Sequence, residues 1–496
     1  MAGYDFDLGV LGGGAAGLTL VSGAAQLGAK TLLIEKEPRL GGDCLHHGCV
    51  PSKTLIKTAR VYHLMNHAAR FGLPSVEPGP VDFVQVRERI EQVIAAIQPH
   101  DSAERFCSLG AAVRFGAARF VDEHSVDLEG ERISARAWLI ATGSSPAAPP
   151  VPGLESPPYI TNKEIFSLDK LPASLLVLGA GPIAIEMAQA FARLGSQVSV
   201  VQRSGQILSK EDKDLADEVM ASLEAEGVKF YLNTKVSGAR EVHARPHLAF
   251  VDADGQEVEL GAERLLVALG RRANLDGLGL EDIGVEFDAK GLKLDQRLRT
   301  RHKHIYGAGD VTGGRQFTHA AGYEAGVVLA NAILRLPRKA DYTWLPHATY
   351  TDPELASLGL NEKAAQAAGL EYTVWSEEFA ANDRALAEGE AAGRLKLILD
   401  QDEKILGAQM LGLHAGELIN EWVAVAGGKV KLSTLAGLVH PYPTLGEISK
   451  RVAGDVMAPK LFSDLVKKGL KLFFSTKGRA CALPRDGGER AGKQEG

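Results

Sequence analysis

Short apolar runs closed by glycine give the chain its first pattern. From Leu8 to Ala29 there are 22 residues without a formal charge, enough to cross a bilayer. Seven glycines interrupt this run, and Asp5 and Asp7 rather than a basic segment precede it. Neither a spanning helix nor a signal peptide fits. The same residues read better as an apolar strand, a Gly-rich turn, an Ala-rich helix, a Leu-Gly stop and a second apolar strand.

That unit is made twice. "VLGGGAAGLTLVSGAAQLGAKTLLIEK" (10–36) aligns without a gap on "VLGAGPIAIEMAQAFARLGSQVSVVQR" (177–203), Gly12 falling on Gly179. Two βαβ units predict an α/β chain with two Rossmann-like dinucleotide-binding domains. "LIATGSSP" (139–146) and "LLVALGRRAN" (265–274) read as strands with Gly turns that return the chain between domains. "TRHKHIYGAGDV" (300–311) reads as a strand ending in Gly-Ala-Gly-Asp, with Asp310 placed for a ribityl hydroxyl. Further on, Phe462, Leu465, Val466, Leu470 and Phe473 recur at helical spacing opposite Lys460, Lys467, Lys468 and Lys471. The segment 459–474 is expected to be an interface helix with a solvated basic face, a membrane-surface helix being the alternative. The polar, Gly-rich "RDGGERAGKQEG" (485–496) reads as a disordered tail.

Composition narrows the classes. The 496 residues, 45% apolar and 24% charged, fit a globular chain of two to four domains. A net charge of −7 offers no basic surface for nucleic acid. Four cysteines in so long a chain do not make a disulfide scaffold, so a reducing cytoplasm is expected.

Each repeat carries its own chemistry. Gly12, Gly14 and Gly17 form GxGxxG: the first permits the turn, the second lets a pyrophosphate approach, and the third lets helix and strand pack closely. Glu35 closes the next strand, where an acid binds the two hydroxyls of an adenosine ribose. The second copy has Gly179, Gly181 and Ala184, with Gln202 and Arg203 where the acid stood. Losing the carboxylate removes repulsion toward a 2′-phosphate, and Arg203, helped by Lys210, would pair with it. NADP(H) is therefore favoured over NAD(H), against a reading of Arg203 as a solvated loop residue.

"GGDCLHHGCVPSK" (41–53) holds two cysteines five apart with two histidines between. The spacing is one residue longer than zinc pairs use, and no second Cys/His pair has the matching spacing. A metal site and an inert disulfide are the weaker readings. A redox-active pair at a helix start fits best, since that position favours thiolate.

With these motifs in order, the chain resembles the class I pyridine nucleotide-disulfide oxidoreductases, the family of dihydrolipoamide dehydrogenase, glutathione reductase and mercuric reductase. The matches are GxGxxG at 12–17, CxxxxC-Pro-Ser-Lys at 44–53, ATG at 141–143, GxGxxA…E at 179–186, GRRxN at 270–274, GAGD at 307–310 and YPTLGE at 442–447. The resemblance implies an FAD domain formed by 1–150 and 271–345, interrupted by an NAD(P) domain at 151–270. A C-terminal α+β interface domain at 346–460 would make a homodimer, each C-terminal segment completing the other subunit's active site, with 461–496 as an amphipathic segment and tail. The residues expected at the two cofactors are Gly12, Gly14, Ala15, Ala16, Gly17, Glu35, Lys36, Gly42, Lys53, Gly116, Thr142, Gly143, Gly179, Gly181, Glu186, Gln202, Arg203, Gly270, Gly309 and Asp310.

The resemblance also assigns catalytic roles. Cys49 is the flavin-side sulfur, Cys44 the interchange thiol, and Lys53 lies near flavin N5 paired with Glu186. His46 and His47 depart from the family, either capping or packing locally or shifting the thiol pKa. The substrate turns on "HPYPTLGE" (440–447), where Tyr442 takes the position of the proton-exchanging histidine and Glu447 is retained. A tyrosine with pKa near 10 is a poor base beside histidine near 6.5. Mercuric reductase resembles this chain here, and a thiolate-bound metal ion needs soft sulfur more than a proton shuttle. The expected activity is NAD(P)H oxidation through FAD and Cys44–Cys49 to a thiol-reactive acceptor, mercuric reductase-like. The alternatives are dihydrolipoamide-type exchange with His440 substituting, or a slow redox sensor or lipoyl-domain partner. Cys481 stands alone where that branch carries adjacent cysteines, as an incomplete relay or an incidental thiol.

Overall fold

A computed structural model describes residues 3–147, 151–155 and 158–477. The first repeat folds as β1 (Phe6–Leu11), α1 (Ala15–Gln26) and β2 (Thr31–Glu35). The uncharged run of Leu8 to Ala29 is thus divided between strand and helix, and no described helix is long and apolar enough to cross a membrane. β1 and β2 are almost wholly buried because helices cover the sheet, which explains their near-continuous apolar sequence. Gly9 is needed within β1, since a Cβ there would lie 2.2 Å from the buried ring of Trp138.

β1 pairs in parallel with β2 on one side and with the strand Glu131–Ile140 on the other. Ala112–Phe115 extends the sheet beyond β2, and Ile305–Gly307 adds in parallel beside Glu131–Ile140. The strand bearing GAGD is thereby carried back into the first domain from far along the chain. Ser125–Leu128 and Ala118–Asp122 continue as an antiparallel meander.

The second repeat gives Ser174–Leu178, the helix Pro182–Leu194 and Gln197–Val201, in a four-stranded parallel sheet with Lys229–Tyr231 and Arg264–Val267 at its edges. An antiparallel three-stranded sheet lies beside it. The two Gly-turn segments meet as a small antiparallel pair, Ser144–Pro146 with Arg271–Ala273, where the chain leaves and re-enters the first sheet's domain. A five-stranded antiparallel sheet of residues 347–412 packs with the helices Ala415–Gly427 and Glu447–Leu461 around Trp422 and forms the third unit. The expected α/β architecture with an α+β C-terminal unit is what the chain adopts.

One expected element differs. The segment 459–474 is two helices, because the helix ending at Leu461 is capped by Phe462 and a second runs from Asp464 to Phe474. Ser463 starts it, its hydroxyl accepting the Val466 N–H. Cys481 and the tail at 485–496 lie outside the described residues.

Candidate active site

A cleft of about 1610 Å³ runs across the C-terminal ends of both parallel sheets, where open α/β sheets bind their ligands. Its walls include both glycine turns, the cysteine segment and the crossover strands.

The glycines sort into two kinds. Gly12 has φ +108°, and a Cβ on it would lie 2.3 Å from the Ala141 carbonyl; a Cβ on Gly17 would lie 1.9 Å from the Gly12 carbonyl. The chain itself demands these two. Gly14 and Gly181 are otherwise: the nearest atom to a Cβ on Gly14 is 3.8 Å away, nothing lies within 4 Å at Gly181, and both backbones suit any residue. Glycine at these positions is explained by something approaching from the cleft, which is the fit a pyrophosphate makes at a helix N-terminus. Glu35 is buried, its carboxylate accepting the Gly13 N–H at 2.6 Å and the Glu37 N–H at 2.8 Å. Both bonds hold it at the cleft edge. Of the expected cofactor residues all line the cleft except Gly17, which lies beneath it.

The cysteines sit on two successive helices, Cys44 within α2 (Gly42–His46) and Cys49 as the first residue of α3 (Cys49–Asn66). Both are free thiols. The hydrogen bond from Cys44 favours the Cys49 thiolate, as do the Thr318 hydroxyl at 3.6 Å and the Lys53 charge, and they hold Cys49 below the usual thiol range at about 6. The same bond, together with burial, pushes Cys44 up. The pair is polarised, with the charge on the sulfur at the helix N-terminus.

Lys53, one turn further along α3, donates to Glu186 Oε2 at 2.8 Å. Burial works against its ammonium, but Glu186 and Cys49 outweigh it and hold Lys53 above the ordinary lysine range. Glu186 projects from the helix of the second repeat, and its other oxygen accepts the Tyr350 N–H at 2.9 Å. The Tyr350 ring lies 4.4 Å beneath the Lys53 ammonium. Three segments, from α3, the second repeat and the C-terminal unit, thus meet at one ion pair. Neither Thr318 nor Tyr350 was legible in the motifs, since each matters only through a tertiary contact.

A second polar cluster steadies α2. Arg271 donates to Asp43 Oδ2 at 3.0 Å and to the Ser144 hydroxyl and carbonyl at 2.7 and 2.8 Å. Buried Asn162 donates to the His47 carbonyl at 2.9 Å and to the Asp43 carboxylate. Asp310 accepts from the Ser144 hydroxyl, and burial raises its pKa.

The histidines between the cysteines do local work. His46 bonds the Leu40 carbonyl at 2.9 Å, and burial lowers the pKa of His47. No group of three metal-ligating side chains occurs among the described residues.

Tyr442 and Glu447 are not brought to the cysteines of their own chain. Tyr442 is 71% exposed, its hydroxyl donating to Asp383 at 2.9 Å, a bond that raises its pKa. His440 lies against Glu421 at 2.8 Å. Arg203, Lys210 and Lys235 line the cleft beside the second repeat, with Gln202 tied to Ser204 at 2.9 Å.

Comparison with known proteins agrees with this geometry. The family model described as pyridine nucleotide-disulphide oxidoreductase matches residues 6–325, and the model of that family's dimerisation domain matches 345–453. The chain is 32% identical over 451 residues to a mercuric reductase of Staphylococcus aureus, covering 90% of this chain and 82% of that protein. It is 32% identical over 447 residues to a dihydrolipoyl dehydrogenase of Bacillus subtilis, covering 89% and 96%. Among solved structures, the Cu(II) complex of the HOCl-induced flavoprotein disulfide reductase RclA from Escherichia coli superimposes with a TM-score of 0.81 at 27% identity, covering 91% of this chain and 99% of that one.

Proposed function

Because the chain belongs to the pyridine nucleotide-disulphide oxidoreductase family, FAD-dependent enzymes that use a pyridine nucleotide, we propose that it carries electrons from NADPH to a thiophilic metal ion through the Cys44–Cys49 pair. The observation that carries the acceptor reading is the engagement of Tyr442 by Asp383. A hydroxyl that already donates to a carboxylate, with its pKa raised, does not shuttle protons to a leaving thiol at neutral pH. A soft metal ion held by thiolates needs no such proton. Relatives named mercuric reductase support a metal-ion acceptor, and the RclA neighbour is a flavoprotein disulfide reductase solved with Cu(II) bound.

FAD, when bound, supplies a two-electron relay between nicotinamide and sulfur. Gly14 and Gly181 leave room for the two pyrophosphates, Glu35 takes the adenosine ribose, and Asp310 the ribityl chain. Arg203 and Lys210 favour the 2′-phosphate of NADPH. Lys53, fixed by Glu186, sets a positive charge beside Cys49 and would offer the same charge to the flavin ring when FAD is bound. In balance, NADPH and the Cys44–Cys49 disulfide give NADP+, the Cys49 thiolate and the Cys44 thiol, with no added proton. Cys44 meets the acceptor, a divalent metal ion takes two electrons to become the neutral metal as the disulfide re-forms, and the Cys44 proton passes to solvent. In a homodimer built on the dimerisation domain, the exposed segment carrying Tyr442 and Glu447 completes the other subunit's site.

One observation favours a second reading. His440 with Glu421 forms a histidine–carboxylate pair that would serve dihydrolipoamide exchange. Anaerobic mixing of the oxidised enzyme with dihydrolipoamide separates the two. A long-wavelength thiolate–flavin band that grows with NADPH but not with dihydrolipoamide is expected; rapid growth with dihydrolipoamide would overturn the metal-ion reading in favour of dithiol exchange.

A further inference from the structure

The helix Asp464–Phe474 follows the matched dimerisation domain, and none of its 11 residues is buried. Asp464, Lys467, Lys468 and Lys471 fall at i, i+3, i+4 and i+7, one face of a helix. Leu465, Val466, Leu470 and Phe473 make the opposite face, widened by Leu472 and Phe474. Leu465 is 81% exposed, Phe473 77%, Leu472 76% and Phe474 74%, and Leu461 and Phe462 just before the helix are exposed as well. A contiguous apolar patch of this kind marks an interaction surface.

Its chemistry identifies the partner. Asp464 is spent on Lys467 at 3.6 Å, which leaves Lys468 and Lys471 without an acidic partner among the described residues. The local stripe of Lys467, Lys468 and Lys471 is complementary to an anionic surface, and screening confines the opposing effect of the chain's net charge of −7 to charges within about a Debye length. Protein interfaces are depleted in lysine and carry hydrogen-bonding side chains around an apolar centre. From Asp464 to Phe474 there is no Asn, Gln, Ser, Thr, Arg, Tyr or Trp. Lysine on one face with leucine and phenylalanine on the other is the composition of a helix lying in a bilayer interface, its lysine stems reaching out to the headgroups.

We propose that Asp464–Phe474 docks the enzyme on an anionic lipid surface, apolar face inserted and Lys467, Lys468 and Lys471 over the headgroups. The test is co-sedimentation of the full-length holoenzyme with vesicles of pure phosphatidylcholine and of phosphatidylcholine with one quarter phosphatidylglycerol. At least tenfold more protein is expected to pellet with the anionic vesicles, the excess falling in high salt. The double variant Leu465→Glu/Phe473→Glu should abolish it while FAD content and NADPH oxidation stay unchanged. Equal recovery with both vesicles, or no recovery with either, overturns the proposal. So does a variant that no longer sediments but elutes as a monomer where the parent is a dimer, since the apolar face would then belong to a second copy.

Discussion

Lys53 and Glu186 meet at 2.8 Å across 133 residues of sequence, one from the helix that starts at Cys49 and the other from the helix of the second nucleotide repeat. The pair ties the helix of the cysteine pair to the helix of the second repeat, and Glu186 is itself held by the Tyr350 N–H. Lys53→Met removes the charge beside Cys49 and leaves a buried carboxylate unpaired. Reduction by NADPH, followed by stopped-flow, is expected to slow at least tenfold, and the thiolate–flavin band of the reduced enzyme to weaken. A parental rate would show that the pair is structural only.

That band should follow the ionisation of Cys49. A thiol held at about 6 is ionised above that pH, so the band of the two-electron-reduced enzyme is full at pH 8 and fades as the pH falls through 6. Thr318→Ala removes one hydrogen bond to the sulfur and should move the midpoint upward. Spectral titration of both proteins measures it.

The proposed preference for NADPH rests on Arg203, beside Gln202. Arg203→Glu places a carboxylate against the 2′-phosphate, and KM for NADPH should rise at least tenfold while KM for NADH changes little. Equal changes for both nucleotides would remove Arg203 from the site.

Glu324 lies buried under the GAGD turn, accepting the Gly309 N–H at 2.6 Å and the Tyr342 hydroxyl at 2.6 Å. Burial raises its pKa from the ordinary 4.5 to about 7 despite both bonds. Its folded pKa therefore exceeds its unfolded one, so the stability it contributes is present in full below 4.5 and lost as the pH rises through 7. At about 1.4 kcal/mol per pKa unit, ionisation removes roughly 3 kcal/mol. Glu324→Gln keeps an acceptor for Gly309 and can donate to a reoriented Tyr342 hydroxyl. Its Tm relative to the parent should be higher at pH 8 than at pH 5, and a constant difference would show that Glu324 does not titrate in this range.

How much of this was legible depended on whether a residue acts through its neighbours in sequence or across the fold. The turn at Gly12, the acid at Glu35 and the doubling at Gly179 are local patterns, since strand, turn and helix are specified within some thirty residues. The break between Leu461 and Ser463 was also local: Ser463-Asp464 ahead of an apolar run is a helix start, hidden because the apolar spacing of Phe462 and Leu465 bridges the gap. The Asp43–Arg271–Asn162 cluster and the Tyr350 ring under Lys53 were not legible, because no spacing rule connects residues brought together by sheet order. Tyr442 was readable as a departure from histidine, but its hold on Asp383 was not.

Cys44 is proposed to hand electrons to a thiophilic metal ion. The most direct measurement is anaerobic NADPH consumption by the holoenzyme with and without Hg(II) in excess small thiol, for the parent and Cys44→Ser. Hg(II) is expected to accelerate NADPH oxidation by the parent at least tenfold and to have no effect on the variant. Consumption unchanged by Hg(II), or equally accelerated in Cys44→Ser, would contradict it.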